Sequence, residues 1–399
     1  MGNIKLLDNT IQHYAWGSRT AIPALLGLAT PSTEPCAELW MGAHPKAPSM
    51  IKEDGAFVSL AKAIEKQPLK MLGESTAARF NNTLPFLFKV LASEKPLSIQ
   101  AHPDKETAAR GFERENRAGI PLDSPARNYK DPNHKPECLC ALTRFHALCG
   151  FRAADDLARL FDVLLPHDGE KLCRDLDSPD GSGLSSFFTN LIQLSEDRRT
   201  VLIKTAVKNA RLHSGEDPAF EWILRLHEEY PADIGILAPA FLNLLVLQPG
   251  DAVFLSAGIL HSYLGGTGIE IMANSDNVLR GGLTQKHVDP EELSRVVVFR
   301  ETEPHIVKPV SRNGCETVYP LPVEEFGLSV LRVSSGIECR TERTGVPQIL
   351  LCIEGEATVH EHGGDDTLLK KGNSAFVPAC SGHLRVTGDA VIYCAFVPA

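Results

Sequence analysis

Alternation of apolar and polar side chains marks most of the first 150 residues as strands and loops. LPFLFKVLA (84–92) is almost continuously apolar, and LSIQAH (97–102) follows it. ECLCALTRFHALCG (137–150) is a third strand-rich stretch, preceded by the proline-punctuated DPNHKPE (131–137). One helical patch is expected near 57–67. From about residue 151 the period changes. AADDLARLFDVL (153–164), LSSFFTNLIQLS (184–195), VLIKTAVKNARLH (201–213) and AFEWILRLHEEY (219–230) repeat apolar residues every three or four positions, which predicts helices. After Pro239 strands return in FLNLLVLQPGDAVFLS (241–256). Beyond about 315, QILLCIEGEATVHEH (348–362) reads as strand, turn and strand, and LLKKGNSAFVPA (368–379) as a second such unit.

This order predicts a mainly β fold with an inserted helical domain. Residues 1–150 plus 236–310 form one β region, 151–235 the helical domain, and 311–399 a second β region. Short strands separated by turns favour a barrel or a sandwich. PGDAVFLSAGILH (249–261) and KGNSAFVPACSGH (371–383) echo each other, which hints at an internal duplication. Neither a GxGxxG after a strand nor a GxxxxGK[ST] occurs, so the two standard nucleotide fingerprints do not apply.

Charge narrows the function. Fifty acidic residues against forty basic ones leave a formal charge of −10. No long basic stripe offsets it, which argues against a nucleic-acid partner. An anionic small molecule remains compatible, because it responds to the local field of a pocket. No segment approaches membrane-spanning length, so no membrane partner is expected. MGNIKLLDNT lacks the apolar run of a signal peptide, and Leu6 breaks the myristoylation pattern that Gly2 would begin. Ten scattered cysteines without a CxxC pair fit buried thiols in a reducing compartment, hence a cytoplasmic protein without a disulfide framework. The sequence sets no oligomeric state and is compatible with a monomer.

Strand alternation gathers candidate ligands. Ser98, Gln100 and His102 share one face, while Leu97, Ile99 and Ala101 take the other. Lys135, Glu137 and Leu139 share a face opposite Cys138 and Cys140. His261 follows an Ala-Gly turn. A glutamine oxygen, a carboxylate and two imidazoles suit zinc or another first-row divalent ion. The spacing is not that of a compact zinc motif. His102 also fits a surface residue before Pro103, His261 a satisfied core histidine, and Glu137 a surface carboxylate. His134 and His146 are rival ligands. Lys89 interrupts an apolar run, where a buried ammonium needs an anion or its stem must snorkel. Lys135 is placed to pair with Glu137. In GIEIMANSDNVLRGGLTQK (268–286), Glu270 shares a face with Met272, while Asp276 and Arg280 follow in a loop. That loop reads either as a capped turn, with Asp276 holding local amides, or as a carrier of Arg280 to an anion.

Several stretches, in order, resemble the type I mannose-6-phosphate isomerases, also called phosphomannose isomerases. They are QHYAWGSR (12–19), AELWMGAHPKAPS (37–49), LPFLFKVLASEKPLSIQAHPDK (84–105), YKDPNHKPE (129–137) and AGILHSYLGGTGIEIMANSDNVLRGGLTQKHVD (257–289). The resemblance spans nearly the whole chain and weakens after about residue 300. It implies the cupin superfamily, with two jelly-roll β-barrels and a helical domain set between strands. It also implies one zinc ion per chain held by Gln100, His102, Glu137 and His261. The implied reaction interconverts mannose 6-phosphate and fructose 6-phosphate. Lys89, Ser98, Lys135, Glu270 and Arg280 fall where the family carries substrate-binding or catalytic groups, and Trp16, Glu38 and His44 lie in stretches that help build the site. Gln100 replaces the first histidine of the general cupin HxH, as in the isomerase family. Ser256 and Cys380 replace a proline and a glycine of the PxGxxH pattern. The C-terminal barrel, with no obvious partner set for His383, is expected to be metal-free.

Such a reaction moves a proton between C2 and C1 through a cis-enediol. Glu270 is the preferred base, Arg280 the stabiliser of oxyanion charge, and Lys135 an electrostatic or proton-shuttling group. Lys89, Ser98 and Trp16 are assigned to the substrate, a phosphorylated hexose. Two rival functions use the same residues: a cupin metal oxygenase, since two histidines and a glutamate also suit iron, and a non-catalytic sugar-phosphate sensor. Oxygen consumption discriminates the first, and binding without turnover the second.

Overall fold

The computed structural model describes residues 3–53, 55–176, 178 and 181–398; Met1 and Gly2, where a myristoyl group would attach, lie outside them. The larger sheet has eleven strands. Its main path runs His305–Val307, Ala252–Leu255, Glu137–Ala141, His261–Ala273, Phe86–Ser93, Glu38–Gly42 and Thr10–Gln12. The long strand His261–Ala273 serves two neighbourhoods. Its C-terminal arm lies between Phe86–Ser93 and Glu137–Ala141, whereas its N-terminal arm pairs with Phe145–Phe151 and, at His261, with Ile99–Ala101. A register shift between Tyr263 and Gly265, with Gly266 at φ 126°, marks the corner between the arms. Strands flanking both arms contribute to one apolar cluster that includes Leu91, Leu139, Phe145 and Ala147 together with Tyr263 of the strand itself.

The second sheet has nine strands, ordered Lys5–Leu7, Ser374–Val377, Gln348–Glu361, Leu384–Phe396, Gly327–Val333, Glu316–Tyr319 and Val310–Asn313 along its path. The expectation of two jelly-roll barrels is therefore corrected. Both strand paths end on strands that do not pair with the opposite end, so neither sheet closes, and the fold is mixed α/β. The physical reason is coverage. A barrel removes its edges by closing, whereas here the open sheets bury their faces against each other and against helices.

Helices Ala154–Leu164, Gly183–Ile192, Glu196–Leu212 and Pro218–Glu229 occupy the stretches whose period predicted them. Their apolar stripes do not form a private core. Leu160, Phe161, Phe187, Phe188, Ile203 and Phe220 merge with Ile99, Ala101, Leu148, Phe151 and Leu279 of the sheet. A second cluster joins Phe88, Cys138, Cys140 and Ile269 of the larger sheet to Leu328, Val330, Ile349 and Tyr393 of the smaller. No helix among the described residues is long and apolar enough to cross a membrane.

Three local expectations change. Helix Lys105–Arg117 was not read, because it buries only Ala108, Gly111 and Glu115 and so shows no apolar stripe. Its signal is the cap: Asp104, directly after Pro103, accepts a hydrogen bond from the Thr107 amide at 2.7 Å. The stretch 348–362 is one strand, Gln348–Glu361, rather than two; Gly355, at φ 71°, follows a bulge between Cys352 and Glu354 instead of turning the chain back. Finally, Cys315 and Cys339 form a disulfide across a separation of 24 residues, which no local spacing announces, while the other eight cysteines are free.

Phe241 is 1% exposed and contacts the rings of Phe151, Phe187 and Phe188 where helices meet sheet. Phe241→Ala is expected to lower the unfolding free energy by about 3–5 kcal/mol, read as a drop in the urea midpoint.

Candidate metal centre and active site

Pairing across the sheet assembles the site. His261 lies opposite Gln100, and Gln100 opposite Arg280. Directly opposed residues of antiparallel strands project from the same face, so these three side chains form a row. His102 follows on the same face just before Pro103 stops the strand. Glu137 comes from the other arm, in register with Met272 and Leu255. In the next row of that arm Trp40, Lys89, Glu270 and Leu139 stand side by side.

His102, Glu137 and His261 converge, each no more than 1% exposed, with one ligand atom from each within 4.8 Å of the others. Nε2 of His102 lies 3.3 Å from one Glu137 oxygen, and Nε2 of His261 lies 3.5 Å from the other. The far ring nitrogens are already committed. Nδ1 of His102 meets the Asn277 carbonyl at 2.7 Å, and Nδ1 of His261 meets the Ile259 carbonyl at 2.9 Å. A carbonyl only accepts, so each Nδ1 carries the proton and each Nε2 presents a lone pair inward. Both Nε2 atoms and Glu137 Oε2 are buried without a hydrogen-bond partner among the described residues. Convergent, unprotonated donors of this kind fit a divalent cation. Burial and the Lys135 charge lower the His102 pKa to about 4, which keeps the ring neutral. Burial alone would raise the Glu137 pKa, but the Lys135 ammonium, at 2.9 Å, holds it well below the usual carboxylate range. The Asn277 carbonyl is itself fixed: its buried side chain accepts from the Lys130 amide and donates to the carbonyls of Asp131 and Asn133.

Beside this centre is a cleft of about 630 Å³, a volume suited to a small ligand. Its lining includes Trp16, Glu38, Lys89, Ser98, Gln100, Lys135, Glu137, Glu270 and Arg280. Lys89 is buried with its ammonium 2.8 Å from Glu270 and 3.5 Å from Glu38; Glu38 also accepts from the Trp40 indole at 2.7 Å. Burial would lower the Lys89 pKa, but Glu270, Glu38 and Glu137 outweigh it and raise the pKa. Glu270 is raised because burial and the charges of Glu137 and Glu38 exceed the attraction of Lys89. Arg280, lowered by burial, and Lys286, lowered by partial burial and by Arg280, reach the same cleft, and neither has an ion-pair partner among the described residues.

The sequence-derived set is thus largely gathered. The rivals are elsewhere: His134 meets Glu325 at 2.6 Å, and His146 packs on Trp222. Asp276 does not hold local amides; it pairs with Lys46 at 2.9 Å and lies 3.6 Å from His44. His383 is exposed, its ring 3.3 Å from the Thr341 carbonyl. Lys286 was missed. Arg280 lies on the strand Leu279–Gly282 rather than in the expected loop, and Lys286 follows it closely with charge of the same sign, which was the available signal. Glu38 was placed only through its stretch, although its strand neighbour Trp40 lies on the same face and could have been read with it.

Comparison with known proteins agrees with this geometry. Residues 4–154 match the catalytic-domain model of type I phosphomannose isomerase, and 315–397 match the mannose-6-phosphate isomerase cupin-domain model. The chain belongs to the type I phosphomannose isomerase family of the cupin superfamily. Mannose-6-phosphate isomerase of Escherichia coli (strain K12) is 42% identical over 388 residues, covering 96% of each chain. The Homo sapiens enzyme is 33% identical over 377 residues, covering 88% of this chain and 87% of that one. A zinc-bound crystal structure of mannose 6-phosphate isomerase superposes with a TM-score of 0.90 at 41% identity, covering 99% of this chain and 100% of that one. The apo form from Salmonella typhimurium gives 0.91 at 40%, covering all of both.

His102→Ala and His261→Ala each remove one buried lone pair from the centre. Each variant is expected to be purified with zinc well below one equivalent by elemental analysis, and to be inactive. Full zinc with normal turnover would exclude that histidine as a ligand.

Proposed function

We propose that this cleft interconverts mannose 6-phosphate and fructose 6-phosphate, with Glu270 as the base and with one zinc ion held by Gln100, His102, Glu137 and His261. The protein is a zinc-dependent mannose-6-phosphate isomerase. The observation that carries the reading is the juxtaposition, in one cleft, of a closed ring of unprotonated ligand atoms, a buried carboxylate of raised pKa and two unpaired cations. Zinc bound there would polarise the sugar oxygens.

The residues divide the remaining work. Glu270 takes the proton from C2 and returns it at C1, since a raised pKa makes a carboxylate a stronger base. Lys89, fixed between Glu270 and Glu38, orients that carboxylate and keeps it ionised enough to accept a proton. Arg280 faces the oxygens on which enediol charge develops, and its guanidinium stays charged despite burial. Lys286 at the rim and Ser98 hold the phosphate. Lys135 neutralises Glu137 and can exchange protons with a sugar hydroxyl, while Trp16 forms an apolar wall against the ring. The unpaired cations answer the question set by net charge: the field inside the cleft, not the −10 total, meets the anion. An oxygenase would have little use for these cations, and a sensor would not need Glu270.

The regions 1–150 plus 236–310, 151–235 and 311–399 are proposed as catalytic, helical and C-terminal units, the last without a metal of its own. A cytoplasmic site of action is proposed on the eight free thiols. The Cys315–Cys339 disulfide is a test of that assignment, since such bonds are uncommon in the cytosol.

The decisive experiment is turnover of mannose 6-phosphate by purified protein, with zinc measured on the same sample. Arg280→Lys loses the planar donor fork and is expected to keep zinc while kcat/KM falls roughly ten-fold or more. Glu270→Gln is expected to lower kcat by about 100-fold or more with zinc retained. Because Glu270 acts in its ionised form and its pKa is raised, activity should be lost as pH falls through a value above the ordinary carboxylate range of about 4.3. A kcat/KM profile flat down to that range would assign the base elsewhere.

A further inference from the structure

We propose that Asp233, on the segment leaving the helical block, is a positioning residue for the phosphate end of the substrate, acting through the loop that carries Lys286. The inference deepens the functional reading above and rests on it. Three ties connect residues 229–235 to both walls of the cleft. Glu229 pairs with Lys95 at 2.9 Å, and the Tyr230 hydroxyl donates to the Pro96 carbonyl at 2.9 Å, fixing the wall that leads into Ser98 and Gln100. Asp233 holds the opposite wall. One carboxylate oxygen accepts from the Gly235 amide at 2.7 Å, and the other accepts from the Thr284 amide at 3.0 Å. Thr284 Oγ1 in turn accepts from the Lys286 amide at 3.0 Å, which sets where Lys286 leaves the backbone.

The bend that Asp233 secures is one the chain would not adopt freely. Leu283 sits at φ 53° and Gly282 at φ 142°. A non-glycine residue in the left-handed region persists only where its surroundings over-determine it. The backbones also approach closely: a Cβ on Gly235 would lie 2.9 Å from the Leu283 nitrogen. Behind the brace is a separate cleft of about 430 Å³, bordered by Tyr230, Asp233, Gly282 and Thr284. Leu283 itself is buried in the apolar cluster shared by helices and sheet, so the turn is anchored by packing up to Leu283, and the Asp233 hydrogen bond fixes Thr284, the next residue, on the side that faces this space. Helices that contribute no candidate ligand thereby set the width of the phosphate end of the cleft.

Asp233→Asn separates the brace from the local cap, because its remaining oxygen can still accept from Gly235 while its amide group turns a donor toward the Thr284 N–H. In the zinc-loaded full chain, Asp233→Asn is expected to raise KM for mannose 6-phosphate and the inhibition constant of inorganic phosphate together, by about five- to ten-fold. Zinc content should be unchanged and kcat within about two-fold. In a Lys286→Met background the same substitution should add nothing further to KM, the signature of action through Lys286. Thr284→Val, which removes the acceptor for the Lys286 amide, should reproduce the split between KM and kcat and serves if Asp233→Asn folds poorly. Unchanged KM and phosphate inhibition, an equal effect in the Lys286→Met background, or a rise in KM that follows zinc loss would each overturn the proposal. If the wild-type chain turns over no mannose 6-phosphate, the functional reading falls instead, and calorimetric phosphate affinity of the same variants still decides the brace.

Discussion

Glu137 carries a negative charge into a place that water does not reach, and the site is organised around that charge. A carboxylate with 1% exposure survives ionised only if cations or donors surround it. Lys135 supplies one full charge at 2.9 Å from one side. The two imidazoles approach from the other, but their protons are drawn outward to backbone carbonyls, so they offer lone pairs and not charge. The arrangement therefore asks for a cation between three donors. That demand selects strands whose alternation places one donor each, and it fixes loops such as the one ending at Asn277, whose carbonyl must stay where the His102 ring requires it.

A second buried charge group operates on different terms. Lys89 sits between two carboxylates, so the cluster Lys89, Glu270 and Glu38 is net negative and Glu270 holds its proton more tightly than a surface glutamate. The two clusters repel one another through Glu137 and Glu270, and that repulsion is part of what gives Glu270 its basicity. Arg280 and Lys286 have no ion-pair partner among the described residues and line the same cleft, which leaves cationic charge for a ligand that brings its own anion.

Much of this was legible from alternation alone. Gln100 and His102 share a face in LSIQAH, Glu137 opposes Cys138, and Glu270 follows two residues before Met272; the structure keeps each of these relations. The helical stretches were equally visible, because their stripes are long and strongly periodic. What escaped was whatever depends on contacts between distant segments. Closure of a sheet is decided by which edges meet, and periodicity carries no information on that, so the barrels inferred from resemblance were wrong. The disulfide joins residues whose neighbourhood exists only after folding. Helix Lys105–Arg117 escaped for the opposite reason: it is polar nearly all round, and only its Asp104 cap betrays it.

The corner at Gly265–Gly266 has a mechanical consequence. His261 and Glu270 lie on one unbroken strand that changes sheet neighbours between them. Side chains contributed by separate elements drift relative to one another whenever those elements slide. Here the spacing between His261 and Glu270 is written into a short covalent path, folded over a glycine that could not carry a Cβ without striking Phe145. Breathing that parts the two arms must first bend this corner, so small fluctuations carry His261 and Glu270 together.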